Sequence, residues 1–167
     1  MVDLSRRALF RGRVSRDQAG KPLRQNLPWI KDEQLFLADC HRCDACIKHC
    51  ETQIITRGDG GFPTIDFSRG ECTFCYQCAA ACDQPLFWPE TEQPWQQTIE
   101  ISAKCLTHNG VECRSCEDSC EPYAIQFRPK RGQVSTPQID TDQCNGCGAC
   151  IRTCPSNAIT INHGVQL

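Results

Sequence analysis

Apolar residues come in short runs along this chain, and none approaches the ~20 residues of a membrane-crossing helix. Leu35-Phe36-Leu37, Ile54-Ile55-Thr56, Thr64-Ile65-Asp66, Ala124-Ile125-Gln126-Phe127, Gln138-Ile139-Asp140 and Ile159-Thr160-Ile161 each have the length of a short strand, and all but the first carry a β-branched residue. Gly58-Asp59-Gly60-Gly61 predicts a hairpin turn between the second and third of these. Pro129-Lys130-Arg131-Gly132 predicts one between the fourth and fifth. Cys46 to Cys50 predicts a single helical turn. The order of loop, helical turn, hairpin, loop and helical turn occurs twice, which is an internal repeat. The expectation is an α+β chain of two tandem two-cluster ferredoxin-like modules of the bacterial type, at 34–93 and 94–167. A polar arm, residues 1–33, precedes them. Gln84 to Thr98, with Pro85, Pro89, Pro94, Trp88 and Trp95, reads as a connector packed between the modules by its tryptophans. Trp29, just before the first module, reads as a packing anchor.

Composition adds cysteine to this picture. There are 16 in 167 residues, and all of them fall into four runs. The last run, Cys144, Cys147, Cys150 and Cys154 followed by Pro155, is the bacterial ferredoxin pattern of two-, two- and three-residue gaps that binds cubane 4Fe-4S clusters. Cys40, Cys43, Cys46 and Cys50 repeat the spacing, as do Cys72, Cys75, Cys78 and Cys82. In the third run, Cys105, Cys113, Cys116 and Cys120, the first gap is stretched to Leu106–Glu112. Closely spaced thiolates wrap a loop around three corners of a cube, and the fourth, beyond the loop, points to a neighbouring cluster. Gly146 and Gly148 let the loop turn and approach the sulfides.

If each half pairs internally, crossed ligation follows for four 4Fe-4S clusters. The first takes Cys40, Cys43, Cys46 and Cys82, and the second Cys72, Cys75, Cys78 and Cys50. The third takes Cys105, Cys113, Cys116 and Cys154, and the fourth Cys144, Cys147, Cys150 and Cys120. Pairing of the second run with the third is the alternative. The stretched gap marks the third site as the more exposed and more labile. Zinc usually draws thiolates from two separated Cys-x-x-Cys pairs, which fits this spacing less well. Disulfides suit a short secreted chain, but the spacing is metal-like. Proline follows the last cysteine of a run only at Pro155. Glu51, Asp83 and Glu121 stand there in the other runs, and a nearby negative charge disfavours an added electron.

A chain this small, with few aliphatic residues, relies on clusters for its interior, so the apo-protein is expected to be largely unfolded. Net charge is −2, which predicts no nucleic-acid partner. The arm is different: Arg6, Arg7, Arg11, Arg13, Arg16, Lys21 and Arg24 face only Asp3 and Asp17 up to residue 24. It reads as a solvated arm or as a segment that docks on an acidic partner, with Arg6 and Arg7 the docking pair. Ser5-Arg6-Arg7-Ala8-Leu9-Phe10 is like a twin-arginine export signal, but a polar stretch follows where an apolar one is needed, so a cytoplasmic protein is expected. His41, His49, His108 and His163 are not needed as ligands. No nucleophile–base set and no phosphate loop is visible, so the chain does not read as an enzyme.

The four runs, the stretched third run and the Ser-Arg-Arg segment together resemble the NapF family, the ferredoxin-type accessory proteins of the periplasmic nitrate reductase system. The strings Cys40-His41-Arg42-Cys43-Asp44-Ala45-Cys46, Cys72-Thr73-Phe74-Cys75-Tyr76, Cys116-Glu117-Asp118-Ser119-Cys120-Glu121-Pro122 and Cys144-Asn145-Gly146-Cys147-Gly148-Ala149-Cys150 carry the likeness. The resemblance implies a cytoplasmic iron–sulfur protein that binds the immature catalytic subunit of periplasmic nitrate reductase. It would assist maturation before export, by cluster loading or by electron supply. A polyferredoxin electron carrier is the alternative.

Overall fold

The computed structural model describes residues 26–163, so the arm and its Arg6-Arg7 pair lie outside the described residues. Its helices are α1 (Glu33–Asp39), α2 (Ala45–Lys48), α3 (Gln77–Ala80), α4 (Ser115–Asp118) and α5 (Ala149–Thr153). Its strands are β1 (Ile55–Arg57), β2 (Pro63–Ile65), β3 (Gln97–Ile101), β4 (Ile125–Lys130), β5 (Gln133–Ile139) and β6 (Ile159–His163). No helix among the described residues is long and apolar enough to cross a membrane.

The strands form antiparallel pairs. β1 pairs with β2 through Ile55↔Ile65 and Arg57↔Pro63, and β4 with β5 through Ile125↔Ile139 and Lys130↔Gln133. The register shifts between Arg128 and Lys130, where Pro129 has no N–H for the ladder. β3 pairs with β6, from Gln97↔His163 to Ile101↔Ile159. This third pair closes the second module by joining its first and last strands. A single bridge, Ile30↔Phe87, does the same for the first module. It is reinforced by Lys31 N–H donating to Leu86 at 3.0 Å and Trp88 N–H to Trp29 at 2.7 Å.

The structure differs from the sequence expectation in three places. Leu35-Phe36-Leu37 lies in helix α1 rather than a strand: the Asp32 carboxylate caps it, accepting from the Leu35 N–H at 2.8 Å. Only Phe36 of the three turns inward, edge-on to Phe87 at 6.4 Å, while Leu35 and Leu37 are exposed. Residues 27–30, placed with the arm by composition, belong to the folded module. Leu27, Pro28 and Trp29 are buried because they carry the strand-like segment that bridges to Phe87. Pro129 and Lys130 are strand rather than turn, and the turn falls at Arg131-Gly132, with Gly132 at φ +69°.

Two apolar cores result. Leu27, Ile54, Ile55, Ile65 and Phe67 gather with Cys78, and Ile99, Ile125, Phe127 and Ile159 with Cys116 and Cys150. Ile151 and Ile161 pack against both. Trp95 joins the modules as expected of the connector: its ring lies edge-on to Phe67 at 6.3 Å and Phe74 at 5.7 Å, and its Nε1 donates to Asn145 at 2.9 Å. Trp88 is instead half exposed, beneath the Lys31 ammonium at 5.5 Å.

Candidate metal centres

The loops of the first, second and fourth runs share one backbone device. A left-handed residue stands before the second cysteine (Arg42, Phe74, Gly146) and another after it (Asp44, Tyr76, Gly148). Each non-glycine residue held there costs on the order of 1 kcal/mol. The device turns the chain twice, and a helix of one turn then opens at α2, α3 or α5. The loop before α2 is tied to β1 by the ion pair of Asp44 with Arg57, whose Nε donates at 3.0 Å. Arg57 holds the Asp44 carboxyl below its usual range.

Since Arg42, Asp44, Phe74 and Tyr76 adopt these angles, the angles alone do not explain Gly146 and Gly148. The reason is space. A Cβ on Gly148 would stand 2.1 Å from the Phe67 ring, and one on Gly146 would stand 2.6 Å from Gln97 Cγ. What approaches this loop is the first module and the connector.

The sixteen cysteines line four cavities. Cys40, Cys43, Cys46 and Cys82 line one of about 400 Å³, and Cys50, Cys72, Cys75 and Cys78 one of about 340 Å³. Cys105, Cys113, Cys116 and Cys154 line one of about 330 Å³, and Cys120, Cys144, Cys147 and Cys150 one of about 300 Å³. These volumes include space open to solvent. They are called sites 1, 2, 3 and 4 in the order of the cysteine runs that open them. Each cavity takes the last cysteine of the other run in the same half.

Four thiols around such a cavity suit a cube whose four iron corners each take one thiolate. A single zinc ion needs its sulfurs at ~2.3 Å. Among the described residues, no group of three or more His, Cys, Asp or Glu is placed to hold one metal ion.

Burial sets the electrostatics. It pushes the Cys46, Cys72, Cys78 and Cys150 thiols up to about 12, and Cys116 to about 11, with neighbouring thiols adding to the effect. Such groups are neutral thiols until iron takes the proton's place. Cys154 is an exception. Burial pushes it up, but the Ala158 N–H at 3.3 Å and the Ser156 hydroxyl at 3.6 Å outweigh that and bring it below the usual value.

The sites form a row. Site 1 meets site 2 where α2, which carries Cys46, contacts α3, which carries Cys78; site 2 meets site 4 where the Cys72 N–H donates to the Cys147 carbonyl; and site 4 meets site 3 where Cys150 of α5 and Cys116 of α4 share one core. The order is 1–2–4–3.

The stretched Leu106–Glu112 gap is not loose. It folds into a 3-10 turn, Thr107–Asn109, in which the Asn109 amide donates to Ala103 and Cys105, and Thr107 is buried. The exposed cysteine is Cys43, at site 1. The expectation that site 3 is the open one is therefore corrected: sequence length alone does not reveal that the insertion is tied down by its own side chains. His41 lines the first cavity, and the His49 ring contacts Ala45 at 2.9 Å. Sequence reasoning missed Phe67 and Gln97 at the fourth loop. It also missed hydroxyls placed two residues after several cysteines, which are readable in the strings once their contacts are known.

Fold and cysteine arrangement define a ferredoxin-type iron–sulfur protein with two dicluster halves. Families described as 4Fe-4S dicluster domain match residues 24–86 and 111–158. Over 163 residues the chain is 46% identical to the ferredoxin-type protein NapF of Escherichia coli (strain K12), covering 97% of this chain and 96% of that one. It is 44% identical over 135 residues to ferredoxin-type protein NapF of Haemophilus influenzae, covering 81% and 77%. More distantly, it is 26% identical over 145 residues to methylamine utilization ferredoxin-type protein MauM of Methylophilus methylotrophus, covering 76% and 64%. The chain belongs to the NapF family of ferredoxin-type proteins.

Proposed function

We propose that the sixteen cysteines hold four 4Fe-4S clusters in the crossed quartets described, and that the protein serves maturation of the catalytic subunit of periplasmic nitrate reductase in the cytoplasm, before export. The observation that carries this reading is the row of four thiol-lined cavities. The family likeness supports the partner. The basic arm, through Arg6 and Arg7, supplies the docking segment. An unbroken row favours delivery of electrons during assembly, while the exposed Cys43 leaves site 1 as the place from which a cluster could leave. A polyferredoxin carrier with no maturation role is the second reading, and the same row favours it.

Anaerobically purified protein with labelled iron, mixed with cluster-free catalytic subunit and re-separated, tests the proposal. Binding together with recovered nitrate reduction supports maturation. Label in the subunit identifies cluster loading, and label retained with activity recovered identifies electron supply. No binding, or binding without recovered activity, leaves the carrier. Cys113→Ser with Cys116→Ser is expected to abolish recovery, since the reading uses all four sites of the row, and full recovery in that variant shows that site 3 is not needed.

A further inference from the structure

The four sites differ in what reaches their sulfurs. At site 3, three of the four thiols meet a hydroxyl two residues along the chain: Cys105 with Thr107 at 3.2 Å, Cys113 with Ser115 at 3.7 Å and Cys154 with Ser156 at 3.6 Å. Site 2 has one such contact, Cys50 with Thr52 at 3.7 Å. At sites 1 and 4 the residues two beyond each cysteine carry no hydroxyl: Arg42, Ala45, Lys48 and Gln84, then Pro122, Gly146, Ala149 and Arg152. The backbone N–H of Ala158 also donates to Cys154 at site 3, at 3.3 Å. A thiolate bound to iron has no proton, so in a loaded site each hydroxyl must be the donor. Its positive end then faces the sulfur and favours the more negative, reduced cluster.

A second observation points the same way. Each site borrows one cysteine from its partner run, and the residue after it is Asp83 at site 1, Glu51 at site 2 and Glu121 at site 4. At site 3 it is Pro155, and the cavity lining, like those of sites 2 and 4, carries no charged side chain. Site 1, the other end of the row, is lined by Asp44, Asp83 and Arg42, and with Asp44 paired to Arg57 the carboxylate that distinguishes it is Asp83. The end of the row with the donors is the end without the carboxylate.

We propose that Cys105, Cys113, Cys116 and Cys154 hold the cluster of most positive potential, so that the first electron entering the row rests at site 3, held there by the hydroxyls of Thr107, Ser115 and Ser156. The step is a one-electron reduction of a single cluster, with the electron supplied by a low-potential donor such as dithionite. The proposal rests on the reading that the quartets hold 4Fe-4S clusters. It gives the row a direction, from site 1 towards site 3, and places the face around site 3 next to an electron acceptor.

The test is a mediated dithionite titration of the anaerobic full-length protein, followed by electron paramagnetic resonance. Iron and sulfide are counted first. The wild type is compared with Thr107→Val, Ser115→Ala, Ser156→Ala, the triple variant and Pro155→Glu. The expected result is that the most positive midpoint moves negative in each variant, furthest in the triple, with iron content unchanged and the other midpoints in place. Thr52→Val is expected to move a different midpoint. If the triple variant loses iron, the single variants are read alone. The proposal is overturned if variants that keep their iron leave the most positive midpoint unmoved, or if the midpoint they move is not the most positive. A wild type with iron for fewer than four clusters overturns the reading beneath it, and the iron count separates that failure from the other.

Discussion

The backbone N–H of Cys72 donates to the carbonyl of Cys147 at 2.8 Å. One residue opens the second cysteine run and the other sits in the middle of the fourth, so the modules meet at their cysteine loops. Phe67 over Gly148, Gln97 against Gly146 and Trp95 bonded to Asn145 surround this contact. It turns two dicluster units into one row.

Gly148→Ala is expected to strain that junction. The Cβ would meet the Phe67 ring at 2.1 Å, and the backbone is at φ +83°. Overpacking and the left-handed backbone together predict a loss of about 2 to 4 kcal/mol. The same change in a Phe67→Ala background retains only the backbone part, about 1 to 2 kcal/mol. Anaerobic denaturant unfolding of the four proteins of the cycle measures the difference.

Trp95 separates packing from hydrogen bonding. Trp95→Phe keeps a ring near Phe67 and Phe74 but loses the bond to Asn145, a loss of about 1 kcal/mol. Trp95→Ala also removes the edge-on contacts and is expected to cost about 3 kcal/mol. In that variant the modules are expected to unfold in two steps rather than one, read by calorimetry.

Cluster loading should depend on pH. The folded thiols of Cys46, Cys72, Cys78 and Cys150 are raised to about 12 from an ordinary 9.0, so any folded apo form gains stability from their neutrality below pH 9 and loses it as pH rises towards 12. Iron binding must expel those protons, so reconstitution yield is expected to rise with pH across the neutral to mildly alkaline range. Iron incorporated per chain against pH checks this, and a flat profile contradicts it.

Iron removal should begin at site 1 and end in loss of the fold. Cys43 is exposed, whereas Cys78, Cys116 and Cys150 lie inside the two cores. Timed exposure to a chelator, followed by thiol alkylation and mass spectrometry, is expected to label Cys43 before Cys116. Circular dichroism is expected to collapse as the inner sites empty, because the apolar cores are too small to hold alone.

The sequence by itself determined the cysteine runs, the loop-and-turn units and the two hairpins. These are local: a gap of two residues fixes how far apart two thiols can stand, and a Gly-rich turn brings adjacent strands together whatever surrounds them. Tertiary structure decided the rest. β3 finds β6 across about sixty residues, a pairing that leaves no periodic mark. Leu35 and Leu37 look like a strand until Asp32 caps a helix beneath them. The glycines of the fourth loop read as freedom to turn, yet Arg42, Asp44, Phe74 and Tyr76 make the same turns, and only the approach of Phe67 and Gln97 explains why a side chain is excluded. The Leu106–Glu112 insertion looks open as a string and is closed by Asn109 and Thr107. For β6 and the fourth loop the deciding force is a contact between residues distant in the chain, and for α1 and the insertion it is a side-chain bond to nearby backbone, neither of which spacing and composition encode.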